Sequence, residues 1–467
     1  MNRASQVVSA VIGTLFFTLA VSSSSFAQTA SSGGDDLSSV SLSPGYAKMP
    51  PVVRGDFQPG AQSASSGLTL IFPAGATTSW GAISPTNAGG SGGAGGSNAG
   101  VNHSSGSNPN GNIPGLMTVP TFQGAFATNG TVFNYNMMGN HPVLGGRTVI
   151  PAHITAVSLE LLNADGSVNI DVPFGPFEDL TLDSPNFEEA NYRSGRHTQF
   201  ADAIQRAEFF NTMGEDWHTL LRPGIVDRVT LQIPRFVNVQ FPDGSVKPVR
   251  SYFIGNLGKP NQFVLVLDLL FSALNFNNSV NEIINANFTT DALNISAYAN
   301  TFLFSIDNQG KLANCCVLGF HNYIFDPTVT PEPRWVSAFA SWTAPGIFTG
   351  GVADVTPLSH EISEAFNDPF GNNRTPVWQF PGVPANARVC QGNLETGDPV
   401  EVLPNSVVPI TIRERHEVFT YHPQTEALLQ WFEMGATSDA IDGAFSFPDE
   451  TALPHSALPC PPAPPAK

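Results

Sequence analysis

The chain has 467 residues, only 12% of them charged, and a formal net charge of -18. Nucleic acid is excluded as a natural partner, because phosphate binding needs clustered Lys and Arg. Abundant Gly (43), Pro (39) and Phe (34) point away from a helical bundle and toward strands and loops.

The first element is a leader. Arg3 gives a positive start, Val7 to Val21 is apolar and uncharged, and Ser25-Phe26-Ala27 supplies small residues at a cleavage site. This pattern predicts a signal peptide cut after Ala27, since the apolar run falls short of the ~20 residues that span a bilayer. Val264 to Ala273 is also too short and carries Asp268. The expectation is a secreted, periplasmic or extracellular protein with no membrane span after signal removal. In that setting the four cysteines should form disulfides. Adjacent cysteines rarely bond each other, so one of Cys315 or Cys316 is expected to pair with Cys390 and the other to reach Cys460. The absence of a C-x-x-C pair argues against a Cys-based zinc site.

Residues 28–116 read as a low-complexity, Gly/Ser-rich linker around Gly89 to Gly100, with Leu68 to Phe72 able to add a strand. Residues 117–250 read as a β-rich lobe. Ile154 to Leu162, the turn Asn163-Ala164-Asp165-Gly166 and Val168 to Val172 form a hairpin pattern. Arg228 to Ile233, and Val237 to Phe241 before Pro242-Asp243-Gly244, repeat it. A helix is predicted over Thr198 to Phe210, with Phe200, Ile204 and Ala207 on one face.

Residues 251–447 form the second lobe. Phe263 to Leu270 is apolar, Asp291 to Ile306 holds one or two strands, and Val317 to Phe325 and Trp335 to Trp342 alternate as strands. A helix follows, with Asp354 or Thr356 as N-cap, Pro357 in the first turn and Asp368-Pro369 as the stop. Residues 448–467 are a Pro-rich tail. The fold class is α+β, a β-rich N-terminal lobe followed by a lobe in which strands precede one helix.

That helix carries the chemistry, in Leu358 to Phe370, LSHEISEAFNDPF. His360 and Glu364 are four apart, on one face about 6 Å apart along the axis, and two such side chains grip one metal ion. Glu361, about 100° away, is placed to accept a proton from a water that the ion activates. A carboxylate in place of a second His is chemically sound and makes the site harder, so zinc or another divalent metal such as manganese is expected. A further ligand is expected downstream in Cys390 to Val402: Glu395 first, Asp398 second, with Asp368 as a third candidate. The opposing interpretations are an exposed acidic stripe on the helix and an ordinary acidic turn at Glu395 to Pro399. His321 is a candidate to line the same cleft and steady an oxyanion, although such a His is more often a packed core residue. His416 and His422 are weaker candidates on a strand-like stretch.

The order of strands, then SHEISEAFNDP, then an acidic turn resembles the glutamate-ligand branch of the zincin metallopeptidases over about the last 150 residues; it departs from the class at Glu364, where His is usual. Glu364 to Phe370 with Cys390 to Asp398 is also similar to the secreted phosphate-induced, or exordium, group, although here the Cys precedes the acidic pair. The zincin resemblance implies a zincin-like second lobe and peptidase chemistry. The exordium resemblance implies a secreted or wall-associated protein. The residues thus support a metal-dependent hydrolase acting on a peptide or protein, with Trp335 to Trp342 as an edge strand for strand addition. The alternative is a non-catalytic surface binding protein whose metal site is structural, vestigial or calcium-binding.

Overall fold

The structure, a computed structural model, describes residues 68–71, 84–85, 115–193, 197–381, 390–401, 403–414 and 417–460. The expected leader at 1–27, the stretch 89–100 and His416 lie outside the described residues. Strands outnumber helices, in keeping with a mixed α+β chain. Among the described residues no helix is long and apolar enough to cross a membrane.

The central sheet runs in the order His218–Ile233, Arg147–Leu162, Leu293–Ala299, Glu332–Trp342, Gly319–Phe325. The first four strands are parallel, and Gly319–Phe325 joins antiparallel to Glu332–Trp342. Leu293–Ala299 is buried along its whole length, as expected of a parallel strand covered on both faces. On one face, Ile150, Ile154, Ile295, Val336 and Ala338 pack against Phe200 and Ile204 of helix Phe200–Glu208 and against Leu358, Ile362 and Phe366 of helix Thr356–Asn367. On the other, Leu159, Tyr298 and Phe339 meet Leu270 and Phe271 of helix Asp268–Ile284. A second sheet of Tyr252–Gly255, Phe263–Leu267, Thr301–Ile306 and Leu312–Val317 closes that side.

The first predicted hairpin forms, Arg147–Leu162 with Val168–Val172; of the second pattern, Phe236–Gln240 pairs across the turn with Val246–Arg250, while Arg228 to Ile233 lies in His218–Ile233, parallel to Arg147–Leu162. Thr69–Ile71 adds a strand to the latter. Three expectations need correction. Strands from 117–250 and from 251–447 share the central sheet, so a boundary at residue 250 runs through one sheet and not between separate cores. Glu332–Trp342 is paired on both sides, so it offers no edge for strand addition; on that side the sheet continues through Gly319–Phe325 to the short strand Ser84–Pro85. The disulfides are Cys315–Cys316 and Cys390–Cys460. Cys390 opens a strand that pairs with Arg374–Gln379, and the Gln379 N–H donates to the Leu458 carbonyl at 3.1 Å. The C-terminal segment therefore delivers Cys460 to Cys390, whereas Cys315 and Cys316 sit in the other sheet.

Candidate metal centre

The helix Thr356–Asn367 is buried at every residue. Its polar side is therefore not an exposed acidic stripe: His360 is 3%, Glu361 1% and Glu364 0% exposed. Pro357 sits in the first turn as predicted, but neither Asp354 nor Thr356 caps it through a side chain. Asp354 instead takes the Val355 N–H at 2.7 Å and the His422 N–H at 2.8 Å, with His422 Nδ1 2.6 Å from its other oxygen. His422 thus braces the start of the helix.

The neighbouring strand Gly319–Phe325 meets the helix with period two. Gly319 lies against Glu361, and a Cβ there would be 2.5 Å from Glu361 Oε1, so only glycine leaves room for the carboxylate. Two residues on, His321 is fully buried, with Nδ1 3.3 Å from Glu364 Oε2 and 3.6 Å from Glu361 Oε2. After a further two, Tyr323 stacks edge-on against Phe370. Phe320, between them, points into the opposite core.

The downstream loop closes the third side. Trp378 Nε1–H donates to the Asn393 carbonyl at 3.0 Å, Leu394 N–H to Asn373 at 2.9 Å, and Gln424 Nε2 to Gly397 at 2.7 Å. Gly397 N–H donates to Glu364 Oε1 at 3.2 Å, and a Cβ on Gly397 would lie 2.4 Å from His360 Nδ1. Asp398 Oδ1 is 3.7 Å from His360 Nε2, and its other oxygen accepts from Gln391. Glu395 is buried, with Oε2 3.8 Å from His321 Nε2.

The structure thus gathers His360, Glu361, Glu364, Glu395 and Asp398. His360 Nε2, Glu364 Oε1 and Asp398 Oδ1 converge, with Glu364 Oε1 and His360 Nε2 3.1 Å apart. Glu395 stands on the far side of His321 from Glu364 and braces that ring. Asp368 is turned away as a ligand: its carboxylate accepts the Asn372 and Asn373 N–H groups at 2.8 and 3.0 Å, and only its carbonyl reaches His321 Nε2, at 3.1 Å.

Two further carboxylates belong to the cluster. Glu401 follows Asp398 by three residues, as Asp398 follows Glu395, a spacing visible in the sequence. Glu426 sits on the two-residue strand Glu426–Ala427, where no local pattern announces it. Among the described residues, the Glu401 side-chain oxygens are buried without hydrogen-bond partners, as are His360 Nε2 and Asp398 Oδ1; Glu426 is buried beside Thr396. Burial pushes Asp398, Glu401 and Glu426 well above the usual carboxylate range, and the Glu364 charge adds to the effect in each. Burial alone would also raise Glu364, but the His360 and His321 imidazoles reverse this and hold it at about 2. Such a set is costly to bury as charges and leaves its lone pairs unused as acids. Among the described residues, the basic groups within 4.0 Å of Glu361, Glu364 and Asp398 are imidazoles, not Lys or Arg. Orphaned nitrogen and oxygen donors around a common point fit a divalent cation.

A cavity of about 30 Å³ adjoins the cluster, lined in part by Gly319, Pro357, His360, Glu361, Glu401 and Gln424. That is room for water beside His360 and Glu361. No family description, curated protein or solved structure matches the chain.

Proposed function

We propose that this cluster is a divalent-metal centre and that the protein is a secreted, metal-dependent hydrolase with peptidase-like chemistry. The observation that carries the proposal is the buried convergence of His360 Nε2, Glu364 Oε1 and Asp398 Oδ1, two of them without hydrogen-bond partners. A bound ion, zinc or manganese, would supply Lewis acidity, polarising a carbonyl and acidifying a water. Glu361 borders the water-sized cavity beside His360 and takes the proton from the attacking water. His321 and Gly319 fix the Glu361 carboxylate, and Gly397 holds the His360 ring in place. The expected test is Glu361→Gln, which retains the ion on His360, Glu364 and Asp398 and loses turnover on a peptide library. Undiminished cleavage by that variant contradicts the assignment of Glu361.

A second reading rests on the closure of the site. Structural metal sites are enclosed, whereas catalytic ones keep an open position, and here His360, Glu361, Glu364 and Asp398 are all buried. On that reading the ion is structural and the protein is a surface or periplasmic binding protein. It predicts a chelator-sensitive melting temperature with no hydrolysis by the metal-loaded wild type.

A further inference from the structure

The Glu364 carboxylate presents its two oxygens to two different histidines. Oε1 lies 3.1 Å from His360 Nε2, and Oε2 lies 3.3 Å from His321 Nδ1. The Gly397 N–H bond to Oε1 holds this rotamer. Three atoms converge on the His360 side, from His360, Glu364 and Asp398, and three on the His321 side, from His321, Glu361 and Glu364. Glu364 is common to both.

The His321 side stands on evidence of its own. His321 Nε2 faces the Asp368 carbonyl at 3.1 Å, and a carbonyl only accepts, so Nε2 carries a proton. Nδ1, the other ring nitrogen, faces Glu364 Oε2 and Glu361 Oε2. All three atoms are buried and, among the described residues, none makes a hydrogen bond of good geometry, although Nδ1 lies 3.3 and 3.6 Å from the two oxygens. Two carboxylate oxygens and a ring nitrogen around one buried point call for a positive charge between them, supplied by a proton on Nδ1 or by a metal ion. A ring nitrogen whose opposite N–H is anchored on a carbonyl, with a carboxylate (Glu395) beside it, is the arrangement that orients a metal-ligating imidazole.

We propose that the cluster holds two divalent cations bridged by Glu364, one on His360 and Asp398 and the other on His321 and Glu361. This rests on the metal-centre reading above and deepens it. Glu361 serves the second ion through Oε2 and keeps Oε1, the atom facing His360 at 4.0 Å, for the water. Two ions sharing a carboxylate stabilise both the attacking and the leaving oxygen of a displacement, and the oxygen-rich donor set favours a hard ion such as manganese.

The test is manganese binding to the full chain, freed of metal with chelator and reloaded with Mn²⁺ alone. Equilibrium dialysis should give two tightly bound ions per chain, and electron paramagnetic resonance should show an exchange-coupled multiline signal. His321→Gln should bind one ion with an isolated six-line signal, and Asp398→Asn should weaken the other; His321→Asn replaces the first variant if it does not fold. One tight ion per wild-type chain, or two without exchange coupling, overturns the bridged pair and leaves the single-metal reading standing. No bound manganese, with zinc also refused, overturns both.

Discussion

Gly397→Ala probes how the loop and the motif helix make one site. A Cβ at position 397 would fall 2.4 Å from His360 Nδ1, 2.6 Å from Cε1 and 2.7 Å from Cγ. Ordinary contact begins near 3.4 Å, so the ring or the loop must yield by about 1 Å. The ring cannot retreat without cost, because His360 is only 3% exposed and its Nε2 is 3.1 Å from Glu364 Oε1. Overpacking of this kind costs about 1–3 kcal/mol, offset by the ~0.4–1 kcal/mol that alanine gains through the unfolded chain. Displacing a ligand's support lowers metal affinity by about 10–100-fold. Gly392→Ala is the control in the same segment, since its nearest new contact is Val377 Cγ2 at 3.4 Å. The assay is competitive zinc titration against a chromophoric chelator, with thermal melts of the metal-free forms. Equal affinity and equal melting temperatures for Gly397→Ala and the wild type would refute the close approach of Gly397 to His360.

Two other perturbations lie away from the centre. Burial raises Asp268, at the start of its helix, from 3.8 to about 7, so the folded state favours the protonated form. Its stabilising effect is complete below pH ~4, is lost as pH rises through about 7, and is flat above. Asp268→Asn keeps an acceptor for the Leu269 N–H and abolishes the titration; relative to it, wild-type stability in urea should fall by up to about 4 kcal/mol between pH 4 and 8, and parallel pH profiles would refute this. The Cys390–Cys460 bridge closes a separation of 70 residues, which the chain-entropy account values at about 4 kcal/mol. The Cys390→Ser/Cys460→Ser double variant should lose about 2–4 kcal/mol in denaturant melts and loosen the metal loop, seen as faster hydrogen exchange at Leu394 and Gly397.

The motif helix was legible because its apolar residues at Leu358, Ile362, Ala365 and Phe366 carry the helical period, and the four-residue spacing of His360 and Glu364 survives intact in the fold. Glu395 and Asp398 were legible as an acidic pair near a glycine, but which of them faces His360 depends on how Gly397 seats against the ring. His321 is a strand residue whose meaning comes from register: Gly319, His321 and Tyr323 share the face turned to the helix, and nothing local says what that face meets. Helix Asp268–Ile284 was hidden because it continues directly from the buried strand Phe263–Leu267. Where strand and helix are both apolar, periodicity does not mark the junction. Cysteine pairing turned on the path of the C-terminal segment, a long-range contact that spacing does not encode.

Elemental analysis of the chain, purified from an oxidising compartment without chelators, tests the central claim most directly. The account predicts at least one divalent transition-metal ion per chain, and a lower metal content in His360→Ala and Asp398→Asn variants that still fold. A metal-free protein that also refuses zinc and manganese on reloading would contradict it, and the buried histidines and carboxylates would then be a protonated polar core.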